Sequence, residues 1–392
     1  MRTLREVDPA LLVCILLLLA LGVSMVYSAG AIWALDQWGD EMHYIRRHLC
    51  FAGLGLVCLT ITASIPYQKW KPWTYPMLFV VTLLLLAVLI PGVGTTMGGA
   101  TRWLSFGSLN FQPSEFAKLA LVTYLAYSLE KKQSHIETFA VGILPHLLFA
   151  GMVLLLILAE PDFGTTMTIA ALLFVMLFIA GVRLLHLAGL LLVGLPVAWV
   201  VLMGAEYRRA RITAFLDPWA HQADGAFQLI QSLLGFTAGG LTGTGLGESS
   251  QKLHYLPSAH TDFIFSVIGE EFGVIGASVV ILLFGVFVWR GVRVCADAPD
   301  LFGKLLGMGL AIMVGMQSAF HMGVVLGVLP TKGITLPLIS YGGSSLVLTL
   351  AMLGILLNVT AQARTATVLH HGGGSGHRIS SGRRRRRAGA VP

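Results

Sequence analysis

The stretch LPSAHTDFIFSVIGEEFGVIG, residues 256–276, holds three carboxylates, Asp262, Glu270 and Glu271, and no lysine or arginine. Its pattern predicts a loop running into an apolar helix that starts at Thr261 or Asp262. Asp262 then sits at the mouth, and the glutamates lie roughly 12 to 14 Å deeper at 1.5 Å per residue. A carboxylate at a helix mouth either caps the helix or takes a proton from a substrate hydroxyl. Carboxylates inside an apolar run face a bundle interior or a wet cavity, where structural pairing competes with direct chemistry. Similar choices arise elsewhere. In QPSEFAK, Glu115 and Lys118 are three apart, share a helix face and suit an internal ion pair. In EPDFGT, Asp162 stands where an N-terminal cap would stand.

The elements that must position these groups are transmembrane helices. Of 392 residues, 56% are hydrophobic and 11% charged, against a usual charged fraction of about a quarter in soluble domains. Apolar runs of the length a bilayer-spanning helix requires recur throughout, which predicts an all-α polytopic membrane protein. Ten spans are expected near 10–29, 47–64, 74–90, 113–129, 139–158, 165–181, 184–204, 262–289, 304–327 and 341–358. The first is expected to be a retained helix, being too long and too poor in cleavage signals for a leader. Arg2, Arg5, Lys69, Lys71, Lys131, Lys132, Arg183, Arg290, Arg293, Lys304 and the Arg-rich tail then fall on one side. The positive-inside rule makes that side the cytoplasm and places both termini there. The external side keeps Arg46, Arg47, Arg102, Arg208, Arg209, Arg211, Lys252 and Lys332, many cations for short loops.

The connection from Ala205 to Thr261 is long and contains aromatic and aliphatic residues at helical spacing. It is expected to form an ordered external cap with short amphipathic helices on the membrane surface. Within it, GGLTGTGLGESSQK lacks the GxxxxGK[ST] pattern of a nucleotide loop. Its glycines are either a flexible turn or a backbone cradle for an anionic headgroup, with Lys252 adding charge. GxxxG spacings at Gly269/Gly273 and Gly323/Gly327 permit close helix approach. Cys14, Cys50, Cys58 and Cys295 show no disulfide or zinc spacing. Residues 1–362 are read as the transmembrane domain and 363–392 as a disordered basic cytoplasmic tail. The net charge of +7 comes largely from that tail and points to anionic lipid or a membrane partner, not to nucleic acid.

QPSEFAK, EPDFGT, RRARITAFLDPW, AFQLIQSLLGFTAGGLTGTGLG, QKLHYLPSAHTDFIFSVIGEEFG and LPTKGITLPLISYGGSS resemble, in order and spacing, the SEDS family (shape, elongation, division and sporulation) between residues 8 and 362. GLGESSQKL and PTKGITLPLISYGG look more like its division branch than its elongation branch. His254 and His321 depart from the family pattern. The resemblance implies a peptidoglycan glycosyltransferase that polymerises lipid II at the outer face of the bacterial cytoplasmic membrane. It implies an FtsI-like class B penicillin-binding protein and other division proteins as partners, and the division septum as the location.

Under that resemblance, Asp262 matches the family's essential aspartate and serves as general base for the acceptor hydroxyl, as in inverting glycoside chemistry. Arg102, Arg209, Arg211, Lys252 and Lys332, with Asp162 nearby, are the groups expected at the substrate's pyrophosphate. A divalent cation, Mg²⁺ or Mn²⁺, is a further way to stabilise the leaving group. Glu115, Lys118, Glu270 and Glu271 are read as structural or supporting. The rival readings are a lipid II flippase, an elongation-type polymerase, and a structural recruiter of division partners. Polar residues gathered on one side favour an enzyme over a transport path.

Overall fold

The computed structural model describes residues 7–97, 99–107, 109–222, 226–253, 256–257 and 259–372. Labelled in chain order, its elements are α1 (Pro9–Trp38), α2 (His43–Ser64), α3 (Thr74–Leu89), β1 (Gly94–Met97), β2 (Ala100–Phe106), β3 (Leu109–Phe111), α4 (Pro113–Lys131), α5 (Leu144–Ala159), α6 (Phe163–Ile179), α7 (Leu184–Met203), α8 (Glu206–Leu216), α9 (Phe227–Gly239), α10 (Ile264–Ala296), α11 (Leu301–Val325) and α12 (Gly343–Gly372). Helices α1–α7 and α10–α12 answer to the ten expected spans. Eight helices among the described residues are long and apolar enough to cross a membrane. Of the other two, α6 is a shorter apolar helix of 17 residues, and α4 carries Glu115, Lys118, Glu130 and Lys131. Helix α4 is central: from Pro113 to Ala126 only Phe116 is not fully buried, with α3, α6, α11 and α12 around it.

Lipid tails are as apolar as leucine, so the bundle is held by close packing and internal polar bonds more than by the hydrophobic effect. Helices α2 and α12 show both. A Cβ at Gly354 would sit 2.0 Å from Thr62 Oγ1, so only glycine allows that approach. Asn358 donates from Nδ2 to Ala63 O (2.7 Å) and accepts from Tyr67 N (2.9 Å), satisfying the backbone where α2 ends. At the same face of the bundle, buried Asp8 caps α1 and pairs with Arg290 of α10 at 2.8 Å and Arg364 of α12 at 3.9 Å.

Helix α10 is broken. Gly273 takes φ 66° and ψ −168° inside it, and the loop after α9 fills the gap with backbone. Thr244 N and Gly245 N donate to Glu270 O and Glu271 O at 3.0 and 3.1 Å, while Val274 N and Ile275 N donate to Gly240 O and Leu241 O at 2.9 and 3.2 Å. Irregular chain at membrane depth persists only when its polar groups are met in this way.

The structure corrects several expectations. The cap does not lie wholly on the membrane surface, because α9 packs into the bundle, where Ser232 Oγ donates to Val325 O (2.7 Å) and Ser266 Oγ to Ser232 O (3.0 Å). The GTG glycines are neither a loose turn nor a headgroup cradle: a Cβ at Gly243 would lie 2.1 Å from Glu271 O. Gly273 of the GxxxG pair leaves the helix. Helix α12 continues through Gly372, ten residues past the expected boundary, in a stretch whose Ala361 and Ala363 are buried. The rest of the expected tail, 373–392, lies outside the described residues, as do Arg2, Arg5 and His254.

The stretch feeding α4 folds as an antiparallel sheet in the order β1-β2-β3. Gly99 (φ 79°) and Gly107 (φ 63°) sit in its two turns, where positive φ favours glycine. This sheet carries Arg102.

Candidate active site

Asp262 precedes α10 and does not cap it. The helix begins at Ile264, Phe263 holds the cap position, and no side-chain cap bond forms. The backbone positions Asp262. The loop 330–342 after α11 ties to the chain before α10, with Ser340 Oγ donating to Thr261 O at 2.6 Å and Tyr341 N to His260 O at 3.0 Å. That loop is anchored in turn. Ser340 Oγ accepts from Leu336 N (2.8 Å), Gln317 Nε2 donates to Thr335 O (3.1 Å), and His321 Nδ1 donates to Ile334 O (2.7 Å).

Gly333 of this loop lies between the key charges. A Cβ there would be 3.2 Å from Asp262 Oδ2 and 4.0 Å from Arg102 Nη1, so carboxylate and guanidinium converge on one glycine. Asp262 is partly buried. Burial pushes its carboxyl up to about 6, Arg102 and Arg211 pull it down, and Asp162 adds to the rise. A carboxylate in that range is ionised at neutral pH yet basic enough to accept a proton from a hydroxyl.

Beside Gly333 lies a cleft that is open to solvent. Its charged lining comprises Arg102 from β2, Asp162 ahead of α6, Arg208 and Arg211 from α8, and Lys332. Arg102 donates to Glu160 O (3.3 Å) and Pro161 O. Lys332 lies over the Phe163 ring at 4.9 Å, and burial lowers its ammonium to about 8. Glu160 beneath is fully buried. Burial first, then Asp162, pushes its carboxyl up to about 8 against the pull of Arg102, so it is mostly neutral at pH 7.

A second chamber of about 330 Å³ shares Gly333 and is lined by Gln112, Glu115, Lys118, Thr168, Gln317 and Thr335. Lys118 bonds Glu115 at 2.7 Å and Gln317 at 2.6 Å there, an internal pair as their spacing suggests.

Of the expected substrate cations, Arg102, Arg211 and Lys332 meet in the cleft. Arg209 is exposed on α8 and does not line it; Arg208, one helical turn from Arg211, does. The spacing of 208, 211 and 212 on one helix face was the signal for this. Lys252 is buried elsewhere, 3.4 Å from Glu271, with Ser28 Oγ donating to the same carboxylate at 2.5 Å. It neutralises a buried glutamate and does not line the cleft where the other expected cations meet. Glu270 accepts from Ser249 Oγ, Ser250 N (2.8 Å) and Gln251 N (3.3 Å). The two glutamates thus pin the 249–252 loop.

No group of three or more His, Cys, Asp or Glu gathers for a metal among the described residues. Both oxygens of Asp162 are occupied, Oδ1 by Thr165 N (3.1 Å) and Oδ2 by Thr165 Oγ1 (2.8 Å), Gln112 Nε2 (3.1 Å) and Ser114 Oγ (3.4 Å). Asp162 is at once the cap of α6 and a wall of the cleft.

Known proteins share this arrangement of helices. The probable peptidoglycan glycosyltransferase FtsW of Geobacter sp. (strain M18) is 44% identical over 366 residues, 93% of this chain and 100% of that protein. Stage V sporulation protein E of Bacillus subtilis (strain 168) is 42% identical, covering 92% of this chain and 100% of its own. A chain from a peptidoglycan synthase complex, solved to show how polymerization and crosslinking are coordinated, superposes with a TM-score of 0.75 at 32% identity, covering 91% of this chain and 98% of that one. Rod shape determining protein RodA of Thermus thermophilus gives 0.68 at 30%, covering 90% and 96%. The cell cycle protein family that unites FtsW, RodA and SpoVE matches residues 9–365, and the chain belongs to it.

Proposed function

We propose that this protein is a peptidoglycan glycosyltransferase of the division type, which polymerises lipid II on the outer face of the cytoplasmic membrane with Asp262 as general base. Asp262 takes the proton from an acceptor sugar hydroxyl as that oxygen bonds to the donor's anomeric carbon. The bond from that carbon to the pyrophosphate breaks, and the lipid pyrophosphate leaves with the electron pair. Arg102, Arg208, Arg211 and Lys332 stabilise the charge that develops on it. The proton passes from Asp262 to water.

The observation that carries this reading is an uncapped Asp262, raised to about 6, meeting Arg102 across Gly333 beside a cationic cleft. Likeness to a chain from a synthase complex that polymerises and crosslinks supports a class B penicillin-binding protein as partner. Division at the septum is supported by the FtsW-named relatives, and cytoplasmic termini by the basic residues that the positive-inside rule assigns to that side. Purified protein incubated with lipid II, with and without that partner, tests the reading. Glycan strands resolved by gel are expected, and their absence under both conditions rejects it.

A further inference from the structure

Outside the cationic cleft, a chain of rings links the ends of α1 and α2 to the loop that carries Asp262. Trp38 stacks on His43 with centroids 4.5 Å apart, and His43 meets Tyr44 edge-on at 5.5 Å. Tyr44 stacks on His260 at 4.6 Å, and His260 lies 5.7 Å from Tyr341. His260 is two residues from Asp262, and its carbonyl is held by Tyr341 N. The rings therefore belong to the scaffold that positions the base. None of them lines the cationic cleft.

Aromatic residues at a membrane surface usually form an interfacial belt facing headgroups. These rings run inward, from Trp38 at 59% exposed to the half-buried His260 and Tyr341. A Cβ at Gly30 of α1 would touch both Tyr44 (3.3 Å) and His260 (3.7 Å), so α1, α2 and the loop converge there. Burial lowers His260 to about 4, which keeps that ring neutral at pH 7. The exposed Trp38 ring and the row it leads into, beside a base that acts on sugars, fit the apolar faces of carbohydrate rings, whereas the pyrophosphate needs the cations.

We propose that Trp38, His43, Tyr44, His260 and Tyr341 form a glycan-binding track that holds the sugar rings of the strand next to Asp262 during elongation. This rests on the glycosyltransferase reading. The purified protein with its transpeptidase partner is given lipid II, and strand lengths are compared by gel at equal fractional consumption. Trp38→Ala and Tyr44→Leu are expected to shorten the mean strand by about three- to ten-fold, the scale of one aromatic contact. Tyr44→Phe keeps the ring and is expected to restore length lost in Tyr44→Leu. Trp73→Ala, at an equally exposed tryptophan beyond the track, is the control. Wild-type lengths in both Trp38→Ala and Tyr44→Leu, or equal shortening in Trp73→Ala, overturn the track while leaving the polymerase intact. No product from the wild type rejects the glycosyltransferase reading, and the track falls with it.

Discussion

Replacing Lys252 with methionine separates a buried structural charge from a substrate contact. The Glu271 side chain is fully buried, and Lys252 and Ser28 are the partners of its Oε1. Breaking a buried pair by removing one partner costs about 3 to 5 kcal/mol. At 3.4 Å the Lys252–Glu271 pair is looser than Glu115–Lys118 at 2.7 Å, and Ser28 remains after the change, so the lower end, about 3 kcal/mol, applies. At roughly 2 °C per kcal/mol for a chain of this size, the melting temperature in detergent should fall by about 6 °C. Lys252→Met/Glu271→Gln removes the stranded charge and should recover most of that loss. The assay is thermal melting of single and double variants alongside KM for lipid II, which should stay near the wild-type value in folded protein. An unchanged melting temperature with a raised KM would refute the reasoning and return Lys252 to the substrate.

The rate should follow a bell in pH. Asp262 must be ionised to accept a proton, so kcat/KM rises through about pH 6; Lys332 must stay protonated to hold the leaving group, so it falls above about pH 8. A flat profile from pH 5 to 9 contradicts both roles. Gly243→Ala places a Cβ 2.1 Å from Glu271 O at a φ of +86°; it should lower the melting temperature by several degrees, equivalent to about 2 kcal/mol or more, and wild-type stability would show that the loop does not fill the break in α10. Single cysteines at Glu206 or Trp219 should react with an impermeant thiol reagent outside intact cells while one at Lys304 does not, and the reverse pattern inverts the topology.

Much of the helical frame was legible because a bilayer demands long apolar runs, and ten such runs became ten helices. Asp262, Arg102, Arg211 and Lys332 stood out in sequence because charges concentrated outside a greasy chain call for a ligand, and the structure brings the three cations to one cleft with Asp262 at its edge. The break in α10 was hidden because Gly273 reads as one more small residue at helical spacing, and its partner, the GTG loop, comes from about thirty residues upstream. The pairing of Lys252 was hidden for the same reason: sequence shows a lysine after a glycine-rich loop but not its long-range contact with Ser28 of α1 and Glu271. The sheet around Arg102 left a local trace in alternating TRWLSF between glycine turns. The track of rings left none, because its members come from α1, α2 and two distant loops.

The most direct test of the account is Asp262→Asn, nearly the same shape but far less basic. One preparation of purified wild type and variant is assayed for glycan strands from lipid II and, in proteoliposomes, for movement of labelled lipid II between leaflets. The account predicts a folded variant that binds lipid II and polymerises about two orders of magnitude more slowly. Polymerisation by Asp262→Asn at the wild-type rate, or lipid II translocation by a wild type that makes no glycan even with its partner, would contradict it.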